Sequence, residues 1–111
     1  MTYTADYWGD RLRRLEALGL TDLVDWYSDP PVQVVGRVRP EGNGFYLRLR
    51  SGGGSLVIYA DRKDNSAEIW RGVVDYVEGP DPCAFDADVV ADVATRLLKE
   101  WRGGVPSTAR P

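Results

Sequence analysis

Residues 44–60, GFYLRLRSGGGSLVIYA, contain two apolar-rich segments separated by a run of glycines. In the first segment apolar and polar side chains alternate strictly: Phe45, Leu47 and Leu49 with Tyr46, Arg48 and Arg50. Such alternation is typical of a β-strand with one buried face. A short glycine-rich connection joins neighbouring strands as a hairpin. The middle of the chain is therefore predicted to form an antiparallel sheet.

Similar segments flank this hairpin. Residues 32–39, VQVVGRVR, place valines on one face of a strand, and the turn formers PEGNG at 40–44 predict a hairpin into the next strand. A last strand is predicted over about 67–77, with Gly72 marking a β-bulge. Successive short connections favour neighbouring strands. We therefore expect a four-stranded antiparallel meander.

Helices are predicted on both sides of the sheet segments. Apolar residues at helical spacing indicate a helix over about 6–18, and Thr21 is placed to cap a second, short helix that Pro30 ends. A third helix is predicted over 86–101. The expected fold is α+β, with N-terminal helices and a C-terminal helix packed on one face of the sheet. Residues 1–102 would form a single domain, and residues 103–111, which have little to bury, a disordered tail.

The absence of certain residue types excludes several kinds of site. The chain has no histidine, which removes His-dependent nucleophilic catalysis and histidine metal ligands. Its single cysteine, Cys83, excludes an internal disulfide. The glycine run at 52–54 lacks the Lys-Ser/Thr of a phosphate-binding loop. We expect a protein that is not an enzyme and has no cofactor and no metal site.

Charge and hydropathy limit the partners. The net charge is −3, with a basic middle (residues 31–72, seven basic and four acidic residues) between acidic ends, so we expect no nucleic-acid partner. No segment has the roughly 18 consecutive apolar residues of a membrane span. The N-terminal residues turn polar at once, unlike a secretory signal. These features predict a cytoplasmic protein without a membrane partner.

The polar face of the predicted sheet is the first candidate site. If the first two strands pair through the 40–44 turn, their outward arginines lie close together and repel unless an acidic partner screens them. Solvent, acids of the same chain or the acidic terminal segments are the alternative. Arginine and tyrosine are enriched at interface hot spots. The candidate partner-binding residues of this face are Arg37, Arg39, Tyr46, Arg48 and Arg50.

Three aromatic residues complete the candidate surface. Trp26 and Tyr27 are adjacent on the predicted short helix and cannot both point inward. Trp70 lies on the last strand, on the side opposite Ile69. We expect at least one of Trp26, Tyr27 and Trp70 to be exposed and to contribute to partner binding.

The order of these motifs resembles a known family. Trp26-Tyr27 precede the sheet, NGFYLRL enters a strand, EIWRGVV holds a tryptophan in the last strand, and the final helix ends in LLKEW. Over about 25–101 this order resembles bacterial polymorphic-toxin immunity proteins. The resemblance implies a cytoplasmic protein that binds and occludes a toxin domain and has no enzymatic activity. A monomer and a homodimer both remain open.

A different class of function also fits the sequence. A small-molecule binder or small enzyme would hold its ligand between the sheet and the C-terminal helix. Asp75, Tyr59 and Tyr76 would then supply the polar groups of an aromatic pocket. An accessory subunit that docks on a larger protein is a third hypothesis.

Overall fold

The computed structural model describes residues 5–25, 32–50, 53–62, 66–74 and 87–108, with the side chains of residues 5–8 excepted. The elements follow one another as α1 (Ala5–Ala17), β1 (Leu20–Asp25), β2 (Val32–Val38), β3 (Gly44–Arg50), β4 (Gly53–Tyr59), β5 (Glu68–Val74) and α2 (Ala87–Arg102). The predicted α+β class is confirmed.

The sheet has five strands instead of the predicted four, in the order β1-β2-β3-β4-β5 with every neighbouring pair antiparallel. The additional strand is β1, which lies where the sequence predicted a second N-terminal helix. That prediction is wrong for residues 21–25, and residues 26–29 lie outside the described part. Thr21 is a suitable helix cap, but pairing with β2 and burial of Leu20 outweigh this local preference.

The irregular geometry of β1 explains why its sequence does not resemble a strand. Its register with β2 shifts between Thr21 and Val24, and Asp22 between them has a φ of 54°. Aspartate tolerates this left-handed conformation better than most residues do. The bulge interrupts the alternation that would have identified the strand from sequence.

The central hairpins form as predicted. Residues 39–43 turn between β2 and β3, where Val38 N donates to Asn43 O at 2.8 Å and Arg37 lies opposite Gly44. Strand β3 also pairs with β4, with Arg50 opposite Gly53; Gly53 and Gly54, predicted in the turn, belong to β4, and residues 51–52 lie outside the described part. Local turn chemistry and strand periodicity are sufficient to specify these connections.

Gly72 has a different role from the predicted bulge. It pairs in regular register with Leu56, and the register shift in this part of the sheet lies between Ile58 and Tyr59. A Cβ at position 72 would lie 2.3 Å from Trp70 Cη2 and 3.0 Å from Leu97 Cδ2. Gly72 therefore leaves the space that the indole of Trp70 occupies beneath α2.

Both helices pack on the same face of the sheet, as predicted for the helical layer. The core combines apolar residues of that face with Leu15 of α1 and Val90, Val93 and Leu97 of α2. Arg14 of α1 is hydrogen-bonded to Asp88 of α2, which ties the two helices together at the surface. The sheet face that points away from the helices is here called the outer face.

The C-terminal segment lies along β5. Trp70 Nε1 donates to the Val105 carbonyl at 2.9 Å, and Thr108 N donates to Arg71 O at 2.7 Å. Residues 105–108 thus have defined neighbours where the sequence suggested a disordered tail, whereas residues 109–111 lie outside the described part. Of the helices in the described ranges, none is long and apolar enough to cross a membrane.

Candidate functional site

The outer face carries a largely apolar row across all five strands. Strand pairing aligns five residues in succession: Val24, Val35, Tyr46, Val57 and Arg71. Val24 is 53% exposed although it is apolar. Among the described residues, no helix packs against this row, because α1 and α2 both contact the opposite face. Within the row, Val57 is only 3% exposed, so Val24 is the apolar residue that it leaves exposed for a partner.

A second, polar row runs beside the first. Gln33, Arg48 and Ser55 are paired in succession, followed by Val73 on β5. Tyr46 on the neighbouring row donates its hydroxyl to Gln33 Oε1 at 2.6 Å. This hydrogen bond holds the tyrosine ring in the plane of the face, next to Arg48.

The expected crowding of arginines is not found. Arg37 lies opposite Gly44, and Arg48 lies opposite Gln33, so no two arginines of this face are directly paired. Arg37 Nη1 donates to the Gly42 carbonyl at 3.0 Å and lies 3.7 Å from Asp61 Oδ1, while its Nε lies 3.9 Å from Asp22 Oδ2. Acidic residues of the same chain thus neutralise Arg37, which was the alternative to an acidic partner at this face.

Arg39 and Arg50 are exposed at opposite ends of the sheet. Arg39 follows β2 in the turn and lines a cleft of about 410 Å³ between α1 and β1, while its carbonyl accepts a hydrogen bond from Arg102 Nη2 at 2.6 Å. It is therefore separate from the outer face. Arg50 ends β3 opposite Gly53, two residues beyond Arg48 on the same side of the strand.

Trp70 does not contribute to the exposed surface that the sequence suggested. Its side chain is 6% exposed, and its indole lies in the core. Ile69, which the sequence placed on the opposite side of β5, is 51% exposed instead. Trp26 and Tyr27 lie outside the described residues. The buried position of Trp70 therefore gives no support for its role in partner binding.

Three exposed apolar residues were missed by the sequence analysis: Val24, Ile69 and Val73. The alternation along β5 could have identified Ile69 and Val73, since each is two residues from Arg71 on the outward side. Val24 could not be identified in this way, because its segment was predicted to be helical.

Arg48 differs electrostatically from the other partly buried arginines. It is half-buried, its Nε has no solvent exposure and no hydrogen-bond partner, and no described carboxylate forms an ion pair with it. Several other arginines are paired with acids: Arg11 with Asp25, Arg14 with Asp88, Arg37 with Asp61, Arg71 with Glu68, and Arg102 with Glu41. Arg48 therefore lies on the outer side of β3 with a buried donor that has no hydrogen-bond partner and a charge that no described acid neutralises.

The helical side of the molecule has a cleft of about 500 Å³. It lies where the C-terminal ends of α1 and α2 meet and is lined by Leu18, Thr95, Leu98, Lys99, Arg102 and Gly103. Tyr59, the described member of the predicted pocket, does not line it. Tyr59 follows the core residue Ile58 and so lies on the other side of β4, and Asp75 and Tyr76 lie outside the described ranges. Within those ranges no group of three or more potential metal ligands occurs.

No family model, curated protein or solved structure matches this chain. Function is therefore inferred from the chemistry of the outer face, where Arg48 has no ion-pair partner among the described residues and Val24, Ile69 and Val73 are exposed.

Proposed function

We propose that the protein is a non-catalytic binding protein that occludes a partner through its outer face, as immunity proteins occlude toxin domains. In this role it would act in the cytoplasm on an acidic region of a bacterial toxin. Recognition requires surface complementarity and no reacting group, in keeping with a chain that has no histidine.

Arg48 is the observation that carries this proposal. A buried donor without a partner costs about 1–3 kcal/mol in the free protein. A carboxylate of a partner would remove that cost once the Arg48 side chain turned outward to meet it, because a carboxylate can accept two parallel hydrogen bonds from the planar guanidinium. Arg48 thus favours a complex over the free state.

The surroundings of Arg48 match the anatomy of a protein interface. Tyr46 and the exposed apolar residues Val24 and Val73 provide contact area around a central arginine. Interface cores are enriched in aromatic residues and arginine. A small molecule would engage only part of such a flat surface, since ligand sites are concave.

Charge defines the chemistry of the partner. Arg37 and Arg71 are neutralised by Asp61 and Glu68, so their charges are satisfied within the chain. Arg48 and Arg50 remain without a described acidic partner on the same side of β3. An acidic patch on the partner complements them, which speeds encounter and disfavours basic competitors.

The proposal is tested by affinity capture from native lysate with three tagged forms of the chain. The wild type and a control, Arg96→Glu on the exposed side of α2, should retain the same protein. Arg48→Glu should reduce its recovery more than tenfold, because it places a carboxylate against acidic groups of the partner. Mass spectrometry identifies the captured protein. A toxin gene beside the gene of this chain would support the proposal that the partner is a toxin.

Equal recovery of the partner protein by all three forms would show that the outer face does not bind it. Recovery of a metabolite without a protein would favour the rival function, a small-molecule binder. The cleft of about 500 Å³ between the helix ends supports that rival, since Lys99 in its lining suits an anionic ligand, although Arg102 beside it is already paired with Glu41. Lys99→Glu would then reduce metabolite recovery and leave protein capture unchanged.

A further inference from the structure

The outer edge of β5 is covered by residues 105–108, here called the C-terminal strap. Thr108 N donates to Arg71 O at 2.7 Å, and Arg71 N donates to Ser107 Oγ at 2.8 Å. The strap thus pairs with the β5 backbone at one residue. One of the two hydrogen bonds uses a side-chain hydroxyl in place of a backbone carbonyl, so the strap only partly imitates a strand.

The strap is held by hydrogen bonds and not by burial. Every residue from Val105 to Thr108 is exposed, and Val105 is 44% exposed. The third hydrogen bond of the strap is the one that the Val105 carbonyl accepts from Trp70 Nε1 at 2.9 Å. Segments with few buried apolar contacts open at low free-energy cost. The strap can therefore leave β5 at the cost of a few hydrogen bonds, of which the one to Trp70 Nε1 reaches the core.

Without the strap, β5 offers a short edge that suits another strand. Arg71 directs its backbone groups away from β4, and the alternation of an antiparallel ladder directs those of Val73 the same way. No described residue forms a hydrogen bond with the Val73 backbone on that side. The Val73 side chain beside it is 40% exposed, and Gly72 adds no bulk at the edge. As far as the described residues go, the backbone of Val73 on this side is therefore left for an incoming strand.

Charge does not oppose the approach of an identical edge. Arg71 donates to both carboxylate oxygens of Glu68, at distances of 2.9 and 3.3 Å. The charged side chains beside the edge are thus neutralised within each chain. Two copies of β5 can approach without the repulsion that opposed arginines would cause.

We propose that the outer edge of β5 is a strand-addition surface for β5 of a second copy, and that the C-terminal strap keeps it closed in the monomer. In an antiparallel pair centred on Gly72, Arg71 of each copy lies opposite Val73 of the other. Backbone hydrogen bonds then replace those of the strap, and the exposed valines are covered. This edge is two strands from β3, so the inference does not depend on Arg48.

The test compares wild type with Ser107→Ala/Thr108→Pro, which removes the hydroxyl acceptor and the amide donor of the strap. Sedimentation velocity over a wide concentration series should show a monomeric wild type. The variant should dimerise with a dissociation constant at least tenfold lower than that of wild type. Pro106→Ala, in the same exposed segment but without either hydrogen-bonding group, is the matched control and should behave as wild type.

A second variant identifies the surface. Val73→Lys added to the strap variant should restore the monomer, because each lysine would lie opposite Arg71 of the other copy and a lysine on a strand edge opposes pairing. Circular dichroism verifies that each variant is folded. A strap variant that stays monomeric overturns the proposal, as does a dimer that persists with Val73→Lys or one that wild type forms equally well.

Discussion

Arg11 Nη1 lies 3.3 Å from Asp25 Oδ2, and both side chains are completely buried. Arg11 belongs to α1 and Asp25 ends β1, so this ion pair connects the first helix to the edge strand that the sequence did not predict. A charge buried in this way requires its partner, since neither group can be solvated by water.

Asp25→Ala should lower the free energy of unfolding by about 3–5 kcal/mol, because Arg11 would remain charged and buried. Urea denaturation measures this loss. The matched control is Asp10→Ala, which removes the exposed pair with Arg13 at 3.2 Å and should change stability by less than about 1 kcal/mol. Arg11→Met/Asp25→Leu should be less destabilised than Asp25→Ala. If Asp25→Ala and Asp10→Ala have equal effects, the buried pair is not important for stability.

Gly72→Ala should lower the free energy of unfolding by about 1–3 kcal/mol, the usual cost of overpacking a core. The new methyl group would meet Trp70, whose buried indole is also held by the Val105 carbonyl. Gly9→Ala in α1 is the control, because its Cβ meets only the flexible Arg13 side chain at 3.2 Å. That change should stabilise by about 0.5–1 kcal/mol. Thermal unfolding of both variants distinguishes them, and a neutral Gly72→Ala would contradict the packing described.

Arg48→Thr should raise the free energy of unfolding by roughly 1 kcal/mol, because it removes an unpartnered buried donor and introduces a residue that favours strands. Arg50→Thr is the control, since Arg50 is exposed and hydrated at the end of β3. Chemical denaturation tests both. Lower stability of Arg48→Thr would show that Arg48 stabilises the free protein, which would weaken its assignment to partner binding.

The contribution of Glu41 to stability should depend on pH. Two hydrogen bonds from Arg102, at 3.0 and 3.1 Å, hold the pKa of Glu41 below its ordinary value of 4.5. Its contribution is therefore complete above about pH 4.5 and is lost as pH falls through the lowered pKa of the folded state. The difference in unfolding free energy between wild type and Glu41→Gln measures it. A difference that stays constant down to pH 2 would refute this linkage.

Much of the sheet could be predicted because its signals are local. Phe45, Leu47 and Leu49 alternate with polar residues, and the structure places all three in the core. The turn formers at 40–44 and the glycine run predict the two hairpins that form. The stripe of α2 is likewise buried as its spacing indicates, through Val90, Val93 and Leu97. Each of these features is specified by residues that lie close together in the sequence.

The candidate surface could be predicted only in part. The sequence placed Arg48 and Tyr46 on the outward side of β3, but it could not show that Asp61 neutralises Arg37 while Arg48 has no described acid beside it. That difference depends on which loops return to which end of the sheet. Trp70 was misassigned for a related reason, since its burial depends on the space left by Gly72 beneath α2.

Side-chain alternation and turn residues act over a few neighbouring positions, so they were enough to predict the antiparallel hairpins and the inward and outward sides of their strands. Three features arise instead from contacts between distant parts of the chain: residues 20–25 form a fifth strand, Arg11 and Asp25 meet in the interior, and residues 107–108 form hydrogen bonds with Arg71 of β5. These features depend on partners distant in sequence, whose hydrogen bonds and burial outweigh the local preferences of the chain.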